Sequence, residues 1–569
     1  MSSARTPRLL IALSLLVIAL SFAFSLVFFL TEQSDSFAEG VDHPFVHSFL
    51  NLYGEYFPFG DTWARSVHPT ADCLPSYLTV GAAMVLGLRP LTCLAAMWLG
   101  MAMLLVAGAA VARELTGLRW AGWFTAALLA ATPHVYYLTW SYNNWIFLAA
   151  FFLATLYASI RLVHEPSAGR AVAVGLCVTC GQFCGHDFPS RDLFVIYCAI
   201  AVLVALAILA RQKRLTKKQW IAYPLLIALF AESITVVKEI LRVLREGLPA
   251  FAFFGNFAKT LVWRYGPERA AYYSHNIGEY SYPPHWWWTA LPGYVYDLAF
   301  QALAPVLFVF VLLMFARFQR LQGQRFHRAW LLVPVLALAV ASLSEKKNFW
   351  YILPLIPALA TMAASVYAAT APIEDKHRWA QKLVILGLLA VQMTVFCWIW
   401  PPRLPEWMPK VTDQKAELSR RLLVERSESK HMMVAHMLHE FDRRYAPGQT
   451  VGLAMLDADG LSDVTDFYLR CARRPLKLHL PDKIEPARLQ AVLWFIHRPT
   501  DDHTPSLLAE PRAQLWARFA ADMQRLEPSL NDAAPNAATA EDYRAWIEAG
   551  EIVEVLPNRF LLFPPPVSE

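Results

Sequence analysis

A small set of residues carries side chains suited to taking a proton and holding an anion: Asp42 and His43, then His186, Asp187 and Arg191, then Lys346, Lys347 and Tyr351. A carboxylate such as Asp42 can accept the proton of an attacking hydroxyl or amine. Cations such as Lys346, Lys347 and Arg191 can stabilise the charge that builds on a departing phosphate. Each group also has a plainer reading. Asp42 is then one solvated acid of an acidic loop, with Asp35 and Asp61 as rivals, and the two lysines snorkel at the end of a membrane span. His186, Asp187 and Arg191 are then a polar turn. The three groups lie far apart along the chain, so the chemistry requires elements that bring them to one place.

Those elements are membrane helices. The chain has 569 residues, of which 56% are hydrophobic and only 17% charged, against a usual charged share of about 25%. This excludes disorder, collagen and coiled coil. A run of about 20 apolar residues crosses the hydrocarbon core as a helix because every main-chain polar group is then satisfied internally. Such runs occupy 9–30, 91–112, 120–138, 145–163, 171–185, 192–210, 219–237, 298–316, 329–343, 350–369 and 383–400, about eleven by this criterion. The first, preceded by Arg5 and Arg8, lacks a small-residue cleavage site and reads as an uncleaved anchor.

The net charge of +5 is modest, and the basic residues sit in short loops between spans rather than on one face, which argues against nucleic acid. With the N-terminus inside, the loops at 113–119, 161–170, 211–218, 317–328 and 376–382 are cytoplasmic and all carry Lys or Arg. The opposite loops are 31–90, which is acidic, and 238–297. Residues 74–88 contain Pro75 and form a short apolar stretch, read as a helix lying at the outer interface. Glu232 is the main charge expected at mid-span, and no internal repeat is evident. These 1–400 residues form the membrane domain. From 401 the chain becomes charge-rich, with alternating apolar strands at 450–455, 491–496 and 552–563 and helical periodicity at 416–445 and 511–526. Residues 401–569 therefore read as an α/β domain on the outer side, with a loop at 531–540.

Polar residues gather at the outer ends of spans, Tyr142 to Asn144 among them, rather than at bilayer depth where pathways need them. A site there suits a polyprenyl-phosphate sugar donor, whose anionic headgroup lies at the interface. The stretch 345–360, Glu-Lys-Lys-Asn-Phe-Trp-Tyr-Ile-Leu-Pro-Leu-Ile-Pro-Ala-Leu-Ala, resembles a segment of membrane glycosyltransferases of the GT-C fold, in the protein O-mannosyltransferase and aminoarabinose lipid A transferase group. The resemblance covers roughly 9–400 in layout. It implies a polytopic α-helical GT-C-like bundle, a Lys at the outer mouth, and a catalytic base at Asp42, where the group carries Asp-Glu and this chain Asp-His. His186-Asp187 stand in place of the group's Thr-Lys, and Asn143-Asn144 in place of an Asp.

The resemblance implies an inverting transfer of a sugar to a lipid, protein or glycan acceptor at the outer face of a bacterial inner membrane. No cofactor is certain, and a divalent metal stays open. Two alternatives remain: a transporter or lipid flippase, and a non-catalytic homologue serving as a scaffold. Cys177, Cys180, Cys184 and His186 have a spacing that suggests zinc, but inside an apolar helix they read as buried thiols.

Overall fold

The computed structural model describes residues 8–30, 74–86, 90–132, 144–184, 188–245, 305–321, 326–343, 349–370, 384–390, 430–446, 449–456, 476–479, 489–495, 511–531, 539–556 and 559–565, with a few isolated positions besides. The helices of the first part are α1 (Arg8–Leu30), α2 (Leu74–Leu86), α3 (Pro90–Thr116), α4 (Arg119–Ala130), α5 (Trp145–His164), α6 (Ala168–Cys184), α7 (Phe188–Arg211), α8 (Lys217–Ala231), α9 (Ser233–Arg245), α10 (Pro305–Ala316), α11 (Leu332–Leu343) and α12 (Leu355–Thr370). Three short 3-10 turns accompany them, at Phe318–Leu321, Arg328–Leu331 and Phe349–Ile352.

Most of these follow the apolar runs, because a helix is the one open-chain form that satisfies its own main chain in lipid. Among the described residues, three helical stretches are long and apolar enough to cross a membrane by length and composition: Leu94–Thr116, Trp145–His164 and Leu193–Arg211. Some hydroxyls within the helices are turned back onto their own helix. Thr155 Oγ1 donates to the Phe151 carbonyl at 2.8 Å and Ser365 Oγ to that of Thr361 at 2.7 Å, so neither polar atom faces lipid unpaired.

The interior is built around α5 and α12. Residues 355–368 of α12 are all buried, and α12 packs against α3, α4 and α10. Its Pro357 falls in the first turn, where a missing N–H costs no intrahelical bond. α5 packs between α3, α6 and α7. Small residues allow the closest approaches. A Cβ on Gly175 of α6 would stand 2.7 Å from the Ile227 carbonyl oxygen of α8, so that crossing has no room for a side chain.

One sequence expectation changes here. The run at 219–237 is not one span: α8 stops at Ala231, Glu232 leaves helical geometry with φ −95° and ψ 8°, and α9 begins at Ser233. Glu232 is therefore at a helix junction and not at mid-span. Thr235 Oγ1 donates to its Oε2 at 3.0 Å. The cause is patterning: after Ala231 uniform apolarity gives way to alternating polar and apolar residues, which make an amphipathic helix suited to an interface.

The second part contains α13 (Lys430–Arg444), α14 (Arg512–Asn531) and α15 (Arg544–Glu548) with β1 (Val451–Leu456), β2 (Leu476–His479), β3 (Ala491–Phe495), β4 (Glu551–Leu556) and β5 (Arg559–Phe563). The sheet order is β2-β1-β3-β5-β4, with β1, β2 and β3 parallel and the β4-β5 pair antiparallel. The expected single strand at 552–563 is thus two strands, paired with Ile552 opposite Leu562. Strand alternation sorts the core by face. Leu453, Leu493 and Leu561 meet Met437 and Phe441 of α13, while Trp494, Phe560 and Leu562 meet Phe519 of α14 and Tyr543. Trp494 Nε1 donates to Asp522 Oδ2 at 3.1 Å, which satisfies both buried polar groups.

Candidate active site

Successive helices bring the basic residues to one end of the bundle. Arg113 lies in the last turn of α3, Arg119 opens α4, Arg161 and His164 close α5, and Arg211 closes α7. Pairing confirms the common level: Glu114 Oε1 lies 2.7 Å from His164 Nδ1, and its Oε2 accepts from Arg161 Nη1 at 3.3 Å. Arg214 donates to the Val163 and His164 carbonyls at 2.7 and 3.0 Å, capping the last turn of α5. Arg170 donates to the Arg161 carbonyl at 2.8 Å and also pairs with Glu165.

The opposite end gathers the start of α5, the end of α6, the start of α7, the α8–α9 junction and the turn Phe349–Ile352. Uncharged side chains tie these together by donating to, or accepting from, the main chain. Asn144 Nδ2 donates to the Cys184 carbonyl at 3.0 Å, joining α5 to α6. Gln182 Nε2 donates to the Ala231 carbonyl at 2.9 Å, and the Ile234 N–H donates to Thr179 Oγ1 at 3.1 Å. Tyr197 Oη donates to the Tyr351 carbonyl at 2.9 Å, fixing that turn against α7.

Of the residues chosen from sequence, Tyr351 sits in the Phe349–Ile352 turn and is buried, and Arg191 lies near the start of α7. Asp42, His43, His186, Asp187, Lys346 and Lys347 lie outside the described residues. The helices that flank them in sequence are described: α6 ends at Cys184 and α7 begins at Phe188, while α11 ends at Leu343 and the turn begins at Phe349. These flanking ends belong to the same end of the bundle, through the Asn144–Cys184 and Tyr197–Tyr351 bonds.

Sequence reading missed Thr179, Gln182 and Tyr197. A Gln and a Tyr inside otherwise apolar runs were the available signal, since polar groups within spans bond across helices. Of the thiols expected to be buried, Cys184 is, with its Sγ donating to the Cys180 carbonyl at 3.2 Å, whereas Cys177 and Cys180 are only partly buried; Cys198 is buried as well. Among the described residues, no group of three His, Cys, Asp or Glu side chains converges as metal ligands.

No protein-family model matches the chain, and no curated protein matches it by sequence. Solved structures do. ArnT from Cupriavidus metallidurans bound to undecaprenyl phosphate superposes with a TM-score of 0.52, at 14% identity, over 97% of this chain and 97% of that one. The same enzyme in the apo state gives 0.52 at 15% identity, over 96% of this chain and 97% of that chain. The oligosaccharyltransferase of Archaeoglobus fulgidus in the apo form gives 0.37 at 11% identity over 85% and 69% of the respective chains, too loose to carry weight. The fold anticipated from the Lys-Lys-to-Pro stretch is thus present: a polytopic α-helical bundle of the GT-C type followed by a C-terminal α/β domain, arranged as in ArnT over nearly the whole length.

Proposed function

We propose that the protein is a membrane glycosyltransferase that moves a sugar from a polyprenyl-phosphate donor to an acceptor at the outer face of a bacterial inner membrane. The observation that carries this reading is the fold, shared end to end with an ArnT crystallised with undecaprenyl phosphate. The bonds that join α5 to the end of α6 and α7 to the Phe349–Ile352 turn support it, because they tie together segments that adjoin the candidate residues in sequence.

In this reading Asp42 takes the proton of the attacking acceptor, with His43 beside it. The acceptor displaces phosphate from the anomeric carbon with inversion. Lys346, Lys347 and Arg191 hold the phosphate as its charge develops, and His186, Asp187 and Tyr351 line the same mouth. The orientation follows from the arginine-rich end being cytoplasmic. The transporter alternative is less well supported, since no Asp, Glu, Lys or Arg falls in the middle of a described span.

The test is transfer from a purified polyprenyl-phosphate sugar in detergent, where no compartments exist to be crossed. Wild-type protein transfers the sugar, and Asp42→Asn at equal expression loses about 10²- to 10⁴-fold of the rate. Full activity in Asp42→Asn removes Asp42 from the mechanism, and no transfer by wild type to any lipid, protein or glycan acceptor removes the enzyme. Adding a chelator and then a divalent ion to the same assay reads any metal requirement.

A further inference from the structure

Beside the paired arginines of the basic end lies a second group of cations. Arg211 ends α7, Arg317 and Arg320 stand at the Phe318–Leu321 turn, and Arg328 opens the next turn. α7 packs on the Arg328–Leu331 turn, which packs on the Phe318–Leu321 turn. The Arg320 N–H donates to the Arg317 carbonyl at 2.9 Å, and in 3-10 geometry residues three apart eclipse, so these two arginines share a side. His327 lies beside Arg211 and Arg328. Its Nδ1 accepts from the Ala329 N–H at 3.2 Å, which requires an unprotonated Nδ1. Burial, with Arg211 and Arg328 close by, holds this imidazole below its ordinary range.

Like charges so placed repel, and the sequence supplies nothing local to offset them: 193–231 and 305–344 contain no Asp or Glu. No salt bridge involves these four arginines among the described residues. The nearest acids beyond α12, Glu374 and Asp375, lie outside those residues. The helices that carry the cations also leave apolar side chains open at headgroup-proximal positions: Leu312 and Leu313 of α10 are 54% and 56% exposed, Phe318 43%, and Leu332 of α11 50%. Cations above an open apolar face match one kind of molecule, an amphiphile with a negative head.

We propose that Arg211, Arg317, Arg320 and Arg328, carried by the end of α7 and the two packed turns, bind the phosphate of an anionic membrane phospholipid whose acyl chains lie along the open faces of α10 and α11. This site is at the end of the bundle opposite the candidate active site and does not depend on the catalytic reading. It gives the bundle a fixed lipid on its basic side, held by charge and by apolar contact together.

The test uses the full-length protein in detergent, titrated with phosphatidylglycerol or with phosphatidylcholine, and read by native mass spectrometry and thermal unfolding. Phosphatidylglycerol is retained and raises the unfolding midpoint more than phosphatidylcholine, an advantage that shrinks with added salt. Arg320→Gln with Arg328→Gln lowers retention by about fivefold per arginine. Lys217→Gln with Lys218→Gln removes the same charge from α8 at the same end and leaves retention unchanged. Equal retention of both lipids, an equal loss in the Lys217/Lys218 variant, or equal stabilisation by inorganic phosphate alone overturns the proposal. Gain of lipid binding only after Glu374→Gln with Asp375→Asn overturns it too, since the patch is then neutralised internally. Should the arginine variant not fold, the comparison of lipids on wild type decides.

Discussion

At the basic end Glu114 gathers Arg161 and His164, and Arg170 joins Glu165, so helices meet through opposite charges. At the far end Asn144, Gln182 and Tyr197 reach main-chain carbonyls, so helices meet through neutral donors. The difference lies in what each end uses to hold itself together. The neutral bonds fix that end without drawing on a described charged group. Under the proposed function this division leaves the charged side chains there for the substrate.

Variants on the two sides should therefore fail in different ways. The largest effect is expected at the mouth. Lys347→Ala should cost about 10²-fold or more in transfer rate, the scale of removing one stabilising donor from developing charge, with an unchanged unfolding midpoint. A lower midpoint with normal activity per folded molecule would make Lys347 structural and blur the contrast. At the basic end the opposite pattern is expected. Glu114→Ala removes the carboxylate shared by Arg161 and His164 at a part-exposed place, a loss of about 1 to 2 kcal/mol, seen in thermal unfolding, while the folded fraction keeps its activity. Tyr197→Phe removes only the hydroxyl that holds the Tyr351 carbonyl, costing about 1 kcal/mol of stability. If that turn positions the mouth, kcat falls in Tyr197→Phe by more than the loss of folded protein explains, and Tyr197→Phe with unaltered kcat would separate the turn from the chemistry.

The smallest effect tests charge pairing away from the bundle. Burial raises the Glu440 carboxyl, but the hydrogen bond from Arg444 and the charges of Arg444, Arg443 and His439 outweigh it, leaving the group below its usual range. A carboxyl lowered in the fold adds stability at pH above its unfolded value, and this is lost as pH falls through the folded value. Wild type should lose stability faster than Glu440→Gln between about pH 5 and pH 3, with a difference near 1 kcal/mol or less. Identical pH profiles would show that the pair contributes nothing measurable.

Apolar length was the strongest signal in the sequence, and helices such as α3, α5 and α7 follow from it almost residue for residue. The break at Glu232 was hidden because α9 continues the helical period with a changed face, and hydropathy summed over a window merges the two. β2 escaped because Leu476–His479 has only 4 residues, although its Leu-Lys-Leu-His alternation between Pro475 and Pro481 was a usable sign. Glu114 reads as a loop-end acid until α5 brings Arg161 and His164 to it from 47 and 50 residues away. At the end opposite the arginines, Tyr351 and Arg191 are the candidate residues that the structure describes, while the bonds that assemble that end join side chains to main chain and leave no mark in composition.

The brevity of α8 bears on the membrane itself. Its 15 residues make a rod of about 22 Å, against about 30 Å of hydrocarbon, and the amphipathic α9 follows at once. Where lipid borders α8, local thinning of the bilayer or snorkelling of Lys217 and Lys218 at its start meets so short a rod. A dimple in the leaflet at that edge would lower headgroups toward the end of the bundle where Gln182 holds the Ala231 carbonyl.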